Sequence, residues 1–79
     1  METYILRTHL IDSPGVFFYY KGRAREKGVP FALNAIVGFN ELDALTFNRQ
    51  TAIELCSKLN LDKSSLLQQG YSEFEVISL

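Results

Sequence analysis

The chain holds one cysteine and one histidine, Cys56 and His9, and nucleophilic or metal chemistry would have to begin with them. Both chemistries need company: a thiol is activated by a neighbouring base, and zinc takes three or four protein ligands. Neither residue has a partner at a motif spacing. Cys56 falls on an apolar helical stripe, where a small buried thiol packs as a hydrophobe. His9 stands near Arg7 on the outward side of a strand. A single cysteine excludes an internal disulfide and fits a reducing compartment. Paired carboxylates can act as acid and base when their surroundings push their pKa values apart. Glu73 with Glu75, and Glu41 with Asp43, have no apolar pattern around them and read as solvated charge. The five glycines form no phosphate-binding fingerprint. The expectation is a protein that is not an enzyme and needs neither metal nor cofactor.

Two other groupings could do binding chemistry. Lys21, Arg23, Arg25 and Lys27 are half of the eight basic residues, and only Glu26 opposes them within that run. In an extended strand, alternation places all four on one side, where they could engage phosphates or an acidic protein surface. The plainer alternative is a solubilising loop tip or a charged edge that discourages strand pairing. The second grouping is a sheet face. If a helix covers Tyr4, Leu6, Phe18, Tyr20, Phe74 and Val76, the other side shows Ile5, Arg7, His9, Phe17, Tyr19, Glu73, Glu75 and Ile77. An apolar strip with Tyr, Phe and Arg, rimmed by charge, suits a protein interface. Aromatics beside Arg can also stack bases, but two glutamates on that face would repel phosphate.

Positioning these residues requires a small framework. Seventy-nine residues make one domain, 1–79, and such a chain buries only about 60 to 65 per cent of its unfolded surface, enough for two thin layers. An apolar fraction of 47 per cent with 13 per cent aromatics is too rich for a disordered chain. The net charge of −1 divides into +2 over residues 1–38 and −3 over 39–79. No window approaches the roughly 20 apolar residues of a membrane span, and the N-terminus has no long apolar run with a cleavage site. A cytoplasmic protein is expected.

The strongest local signal runs from Ala44 to Leu59. Asn48 can cap a helix over about 49–59, in which Ala52, Leu55, Cys56 and Leu59 share a face, and Asn60 suits a left-handed stop. Upstream, Tyr4 to Ile11 alternates as a strand, Asp12-Ser13-Pro14-Gly15 turns the chain, and Val16 to Lys21 is β-branched and aromatic. Residues 22–30 read as an exposed connection. Further strands are expected over Phe31–Phe39, where two alanines and a leucine also leave room for a short helix, and over Asp43–Phe47 and Tyr71–Leu79, with a short helical turn within Asp62–Gln69 ended by Gly70. The fold class is α+β: an antiparallel sheet of four or five strands with one main helix on one face.

The second half, DALTFNRQTAIELCSKL followed by YSEFEVISL, resembles small bacteriophage-encoded accessory proteins over residues 42–79, and anti-CRISPR proteins are similar in size and in lacking catalytic motifs. The resemblance implies a non-enzymatic inhibitor that occludes a host protein or ribonucleoprotein defence complex in the host cytoplasm. The residues expected to meet a partner are Arg7, Phe17, Tyr19, Lys21, Arg23, Arg25 and Lys27. Two alternatives stand beside it: a nucleic-acid binder using the basic run 21–27, and a homodimerisation module that buries the open face against a second copy.

Overall fold

The computed structural model describes residues 2–24, 27–28 and 31–79. It is an α+β domain in which a four-stranded antiparallel sheet carries two helices on one side. The strands are β1 (Tyr4–His9), β2 (Phe17–Arg23), β3 (Ala35–Gly38) and β4 (Glu75–Ser78), in the spatial order β3-β2-β1-β4. The main helix α1 spans Arg49–Asn60, and a short α2 spans Lys63–Gln68. No helix among the described residues is long and apolar enough to cross a membrane.

The hairpin of β1 and β2 forms around the expected turn, which is closed by the Ser13 amide on the Leu10 carbonyl and the Val16 amide on the Ser13 carbonyl. β1 is the central strand. Its Tyr4, Leu6 and Thr8 are buried beneath the helices, where Ala52, Cys56 and Leu59 of α1 and Leu66 of α2 complete the core with Tyr20 and Phe74. The α1 stripe therefore packs as its spacing demands, with one adjustment: Leu55 is only half-buried, while Ala52 and Leu59 are fully enclosed. Asn48 caps α1 by accepting a 2.8 Å hydrogen bond from the Thr51 amide. Asp62 caps α2, accepting from the Ser65 amide at 3.1 Å, and Gly70 leaves it at φ 83°.

Several expected elements differ. The Phe31–Phe39 strand is a 3-10 turn at Phe31–Asn34 followed by the four residues of β3. The Asp43–Phe47 strand is absent; a 3-10 turn at Glu41–Asp43 is capped by Asn40, and Phe47 meets β1 only through an isolated bridge to Tyr4. Asn60 is not a left-handed stop. It is the last helical residue, α1 ends on Leu61 with right-handed geometry, and no non-glycine among the described residues has positive φ. The reason is that the Asn60 side chain is engaged with Phe74. Its Nδ2 donates to the Phe74 carbonyl at 2.9 Å and its Oδ1 accepts from the Phe74 amide at 2.8 Å.

The closing strand is likewise shorter than Tyr71–Leu79. Tyr71 bridges Leu10 and the Ser72 amide bonds the His9 carbonyl, but the pairing with β1 slips by one residue before β4 begins at Glu75. Buried Thr8 sits at the slip and donates to the Ser72 carbonyl at 2.8 Å, so its hydroxyl is satisfied where the ladder is interrupted.

A bulge between Tyr20 and Gly22 shapes the other end of the sheet. Gly22 has φ 137°, a conformation open essentially to glycine alone. Past this point β2 continues to pair with β3, and the segment before α1 supplies the neighbours β1 and β2 lack there. The Leu45 amide bonds the Tyr20 carbonyl at 3.0 Å, and Phe47 and Tyr4 exchange backbone bonds of 2.8 and 2.9 Å.

Candidate functional site

Residues directly opposite one another in an antiparallel pair point to the same side of the sheet, so the register defines the face that the helices leave uncovered. Arg7 lies between Tyr19 on β2 and Glu75 on β4, His9 lies opposite Phe17, Ile5 opposite Ile77, and Tyr19 opposite Gly38. Four of the expected contact residues, Arg7, Phe17, Tyr19 and Lys21, come together here. The Lys21 stem runs over Gly38, where an added Cβ would approach its Cδ to 2.8 Å. Glycine thus lets the lysine lie flat on the sheet.

Arg7 is the fixed point of this face. Its Nη2 lies 2.6 Å from Glu75 Oε1, its Nε donates to the same oxygen at 2.8 Å, and its Cζ stands 4.1 Å from the centroid of the Phe17 ring. Stacking on an aromatic ring and pairing with a carboxylate both suit a planar guanidinium. The His9 ring meets Phe17 edge-on at 6.4 Å, and its Nδ1 lies 3.0 Å from the Leu10 carbonyl. Ile5, although on this side, has no exposed surface. The face is therefore a set of half-buried side chains, Arg7, His9, Phe17 and Tyr19, flanked by exposed Lys21 and Glu75 over a sealed floor rather than a bare apolar strip.

The basic row does not form as alternation predicts. Tyr20 pairs with Val37 and Arg23 with Ala35, and both Val37 and Ala35 pack on the core. Arg23 therefore shares the helix side with Tyr20, while Lys21 lies on the opposite side; the bulge absorbs one residue and reverses the alternation. The phenol of buried Tyr20 is pushed above the usual tyrosine value by burial, partly offset by the nearby positive charge of Arg23. Lys27 is exposed in a turn, and Arg25 lies outside the described residues.

Glu73 also leaves the expected face. It precedes β4 and pairs with Lys63 of α2 at 2.8 Å, whereas Glu75 pairs with Arg7. The two glutamates do not act as a unit. Cys56 and His9 lie on opposite sides of the sheet. The Cys56 thiol is buried, donates to the Phe74 carbonyl at 3.2 Å, and has its pKa raised, chiefly by burial. A protonated thiol bound to a carbonyl is a packing group. No group of three or more potential ligands suited to a metal ion occurs among the described residues.

Sequence reading overlooked a second region. On the β4 side of α1, Ile53, Cys56, Ser57, Asn60, Leu61 and Val76 line a shallow groove of about 430 Å³, and Leu61 is 83 per cent exposed. The available signal was an apolar Leu61 just past the helix end, in line with Ile53 and off the buried stripe. Comparison with family models, with curated proteins and with solved structures returned no match.

Proposed function

We propose that this chain is a non-enzymatic protein-binding module whose recognition surface is the sheet face opposite the helices. The observation that carries the reading is Arg7, held between the Phe17 ring and the Glu75 carboxylate, with Tyr19 directly beside it on β2. Arg and Tyr are the side chains that most often dominate interfaces. An arginine already immobilised loses little rotamer freedom when a partner covers it. Water exclusion by the partner would strengthen the same ion pair and stacking contact.

The finer reading is an inhibitor of a host protein or defence complex, of the phage-encoded kind that residues 42–79 resemble, acting by covering a functional surface of its target. A small domain with a flat, preorganised face suits occlusion, because it needs no catalytic group and no moving part.

Nucleic-acid binding is the weaker reading. Glu75 neutralises Arg7 at 2.6 Å, and the bulge divides Lys21 from Arg23. Phosphate recognition gains from several cations on one side, and its affinity falls steeply with salt. The test is parallel affinity capture from a bacterial lysate with wild type and with Arg7→Gln/Tyr19→Ser. A partner retained by wild type and lost by the double variant supports the face. Identical profiles, or a captured species that is nucleic acid released by modest salt, would overturn it.

A further inference from the structure

We propose that the free edge of β4 and the adjoining flank of α1 form a two-fold interface with a second copy of this chain. This interface is distinct from the sheet face assigned above to a partner protein.

The edge itself points to strand addition. The Leu79 amide bonds the Thr3 carbonyl, and Tyr4 turns its own amide and carbonyl to Phe47. Since Ser78 is opposite Tyr4 and Val76 opposite Leu6, the backbone groups of Val76 and Ser78 face away from β1. They have no partner among the described residues. At Phe74 the ladder is closed by Asn60, which takes both the amide and the carbonyl, so an added strand can begin only at Val76. Beyond its shortness, β4 carries little edge protection: no Lys, no Pro and no bulge occur from Glu75 to Ser78, and its one charge is engaged by Arg7.

The edge is also self-complementary. In an antiparallel pairing of β4 with a second β4 centred on Ile77, Val76 of each copy forms a hydrogen-bonded pair with Ser78 of the other. Outward-facing backbone groups then meet outward-facing backbone groups. The two Ile77 side chains face each other on the uncovered side. A two-fold axis perpendicular to the sheet preserves its faces, so both α1 helices lie on the same side.

The helices supply what a four-residue strand cannot. Stable interfaces remove roughly 600 Å² or more from each partner, more than a short strand edge offers. α1 packs over both β1 and β4, which sets its axis near the gap between them. With strands about 4.8 Å apart, the two-fold brings the helices to about 10 Å, the spacing of packed helices. The facing stripe is Ile53, Ser57 and Leu61, which shares its groove with Val76 of β4. Antiparallel helices centred on Ser57 set each Ile53 against the other copy's Leu61 and the two small serines against each other. Glu54 and Lys58, on the solvent side of the stripe, then stand two residues, about 3 Å along the helix, from the opposite charge across the axis.

The experiment is light scattering on the purified protein over a concentration series, with circular dichroism as the folding check. Wild type is expected to approach twice the chain mass. Ile53→Glu/Leu61→Glu, at two exposed positions, is expected to stay folded at the monomer mass, and Arg7→Gln/Tyr19→Ser to dimerise as wild type does. In a Cys56→Ala background, Ser57→Cys is expected to cross-link two copies under mild oxidation, while Gln68→Cys on α2 is not. A wild-type monomer at high concentration overturns the proposal. So does a dimer that survives in Ile53→Glu/Leu61→Glu, or equal cross-linking of the two cysteine variants.

Discussion

Asn60 and Phe74 are joined by two hydrogen bonds, the Asn60 amide donating to the Phe74 carbonyl at 2.9 Å and the Phe74 N–H donating to Asn60 Oδ1 at 2.8 Å. One side chain thereby takes the place of a neighbouring strand for one residue. It ties the end of α1 to the start of β4 and holds the Phe74 ring in the core, edge-on to Tyr20 at 6.3 Å.

Removing this bracket has a definite expected cost. Asn60→Ala leaves the amide of Phe74 without its partner and the carbonyl with only the weak Cys56 thiol donor, and losing two part-buried hydrogen bonds costs about 2 kcal/mol. Asn60→Gly separates the two readings of this position. If Asn60 were a left-handed helix stop, glycine would be neutral or stabilising; as a helical residue with an engaged side chain, glycine should destabilise at least as much as alanine. Urea denaturation of the three proteins checks this.

The core of α1 sets a second expectation. Leu59 has no exposed surface, so Leu59→Ala should cost about 2 to 5 kcal/mol through lost burial and the cavity left behind. Half-buried Leu55→Ala should cost clearly less. Equal denaturation midpoints for the two variants would contradict the placement of the stripe.

Much of this was legible in the sequence, and the failures have physical causes. Asn48 followed by apolar residues at helical spacing described α1 and its cap correctly because both signals are local. Aromatic and β-branched residues around Asp12–Gly15 described the β1–β2 hairpin for the same reason. The uncovered face followed from the period of two, which placed Arg7, Phe17 and Tyr19 together. The bulge was invisible, because Tyr20-Lys21-Gly22-Arg23 keeps its alternation on paper and only the pairing with β3 shows one residue displaced. Asn60 was misread because its partner, Phe74, is distant in sequence. The resemblance to phage proteins rests on local pattern alone, and the structure adds no residue-level motif to it.

Gly22 carries a third expectation. An added Cβ would meet only Leu45 Cδ1, at an ordinary 3.8 Å, so space is not the obstacle. The obstacle is φ at 137°, and Gly22→Ala should cost about 1 to 3 kcal/mol through backbone strain. The thermal midpoint should fall accordingly, whereas Gly15→Ala, with nothing within 4 Å and no positive φ, should leave it nearly unchanged.

A pH dependence follows from the α2 cap. Hydrogen bonds from the Ser65 hydroxyl and amide, with Ser64 contributing, hold the Asp62 carboxyl below its ordinary value. A depressed folded pKa stabilises the fold above the unfolded carboxylate value and loses that contribution as pH falls through the folded one. Asp62→Asn should therefore flatten part of the acid limb of a stability-against-pH curve while leaving the neutral and alkaline limbs parallel to wild type. An unchanged acid limb would contradict the assignment.

The central claim is that the sheet face built around Arg7 meets a partner protein. The most direct measurement is an amide shift map of isotope-labelled protein titrated with the partner that wild type retains and Arg7→Gln/Tyr19→Ser loses. The account predicts changes concentrated at Arg7, His9, Phe17, Tyr19 and Lys21 across β1 and β2. A footprint confined to α1 and α2, or the absence of any retained partner, would contradict it.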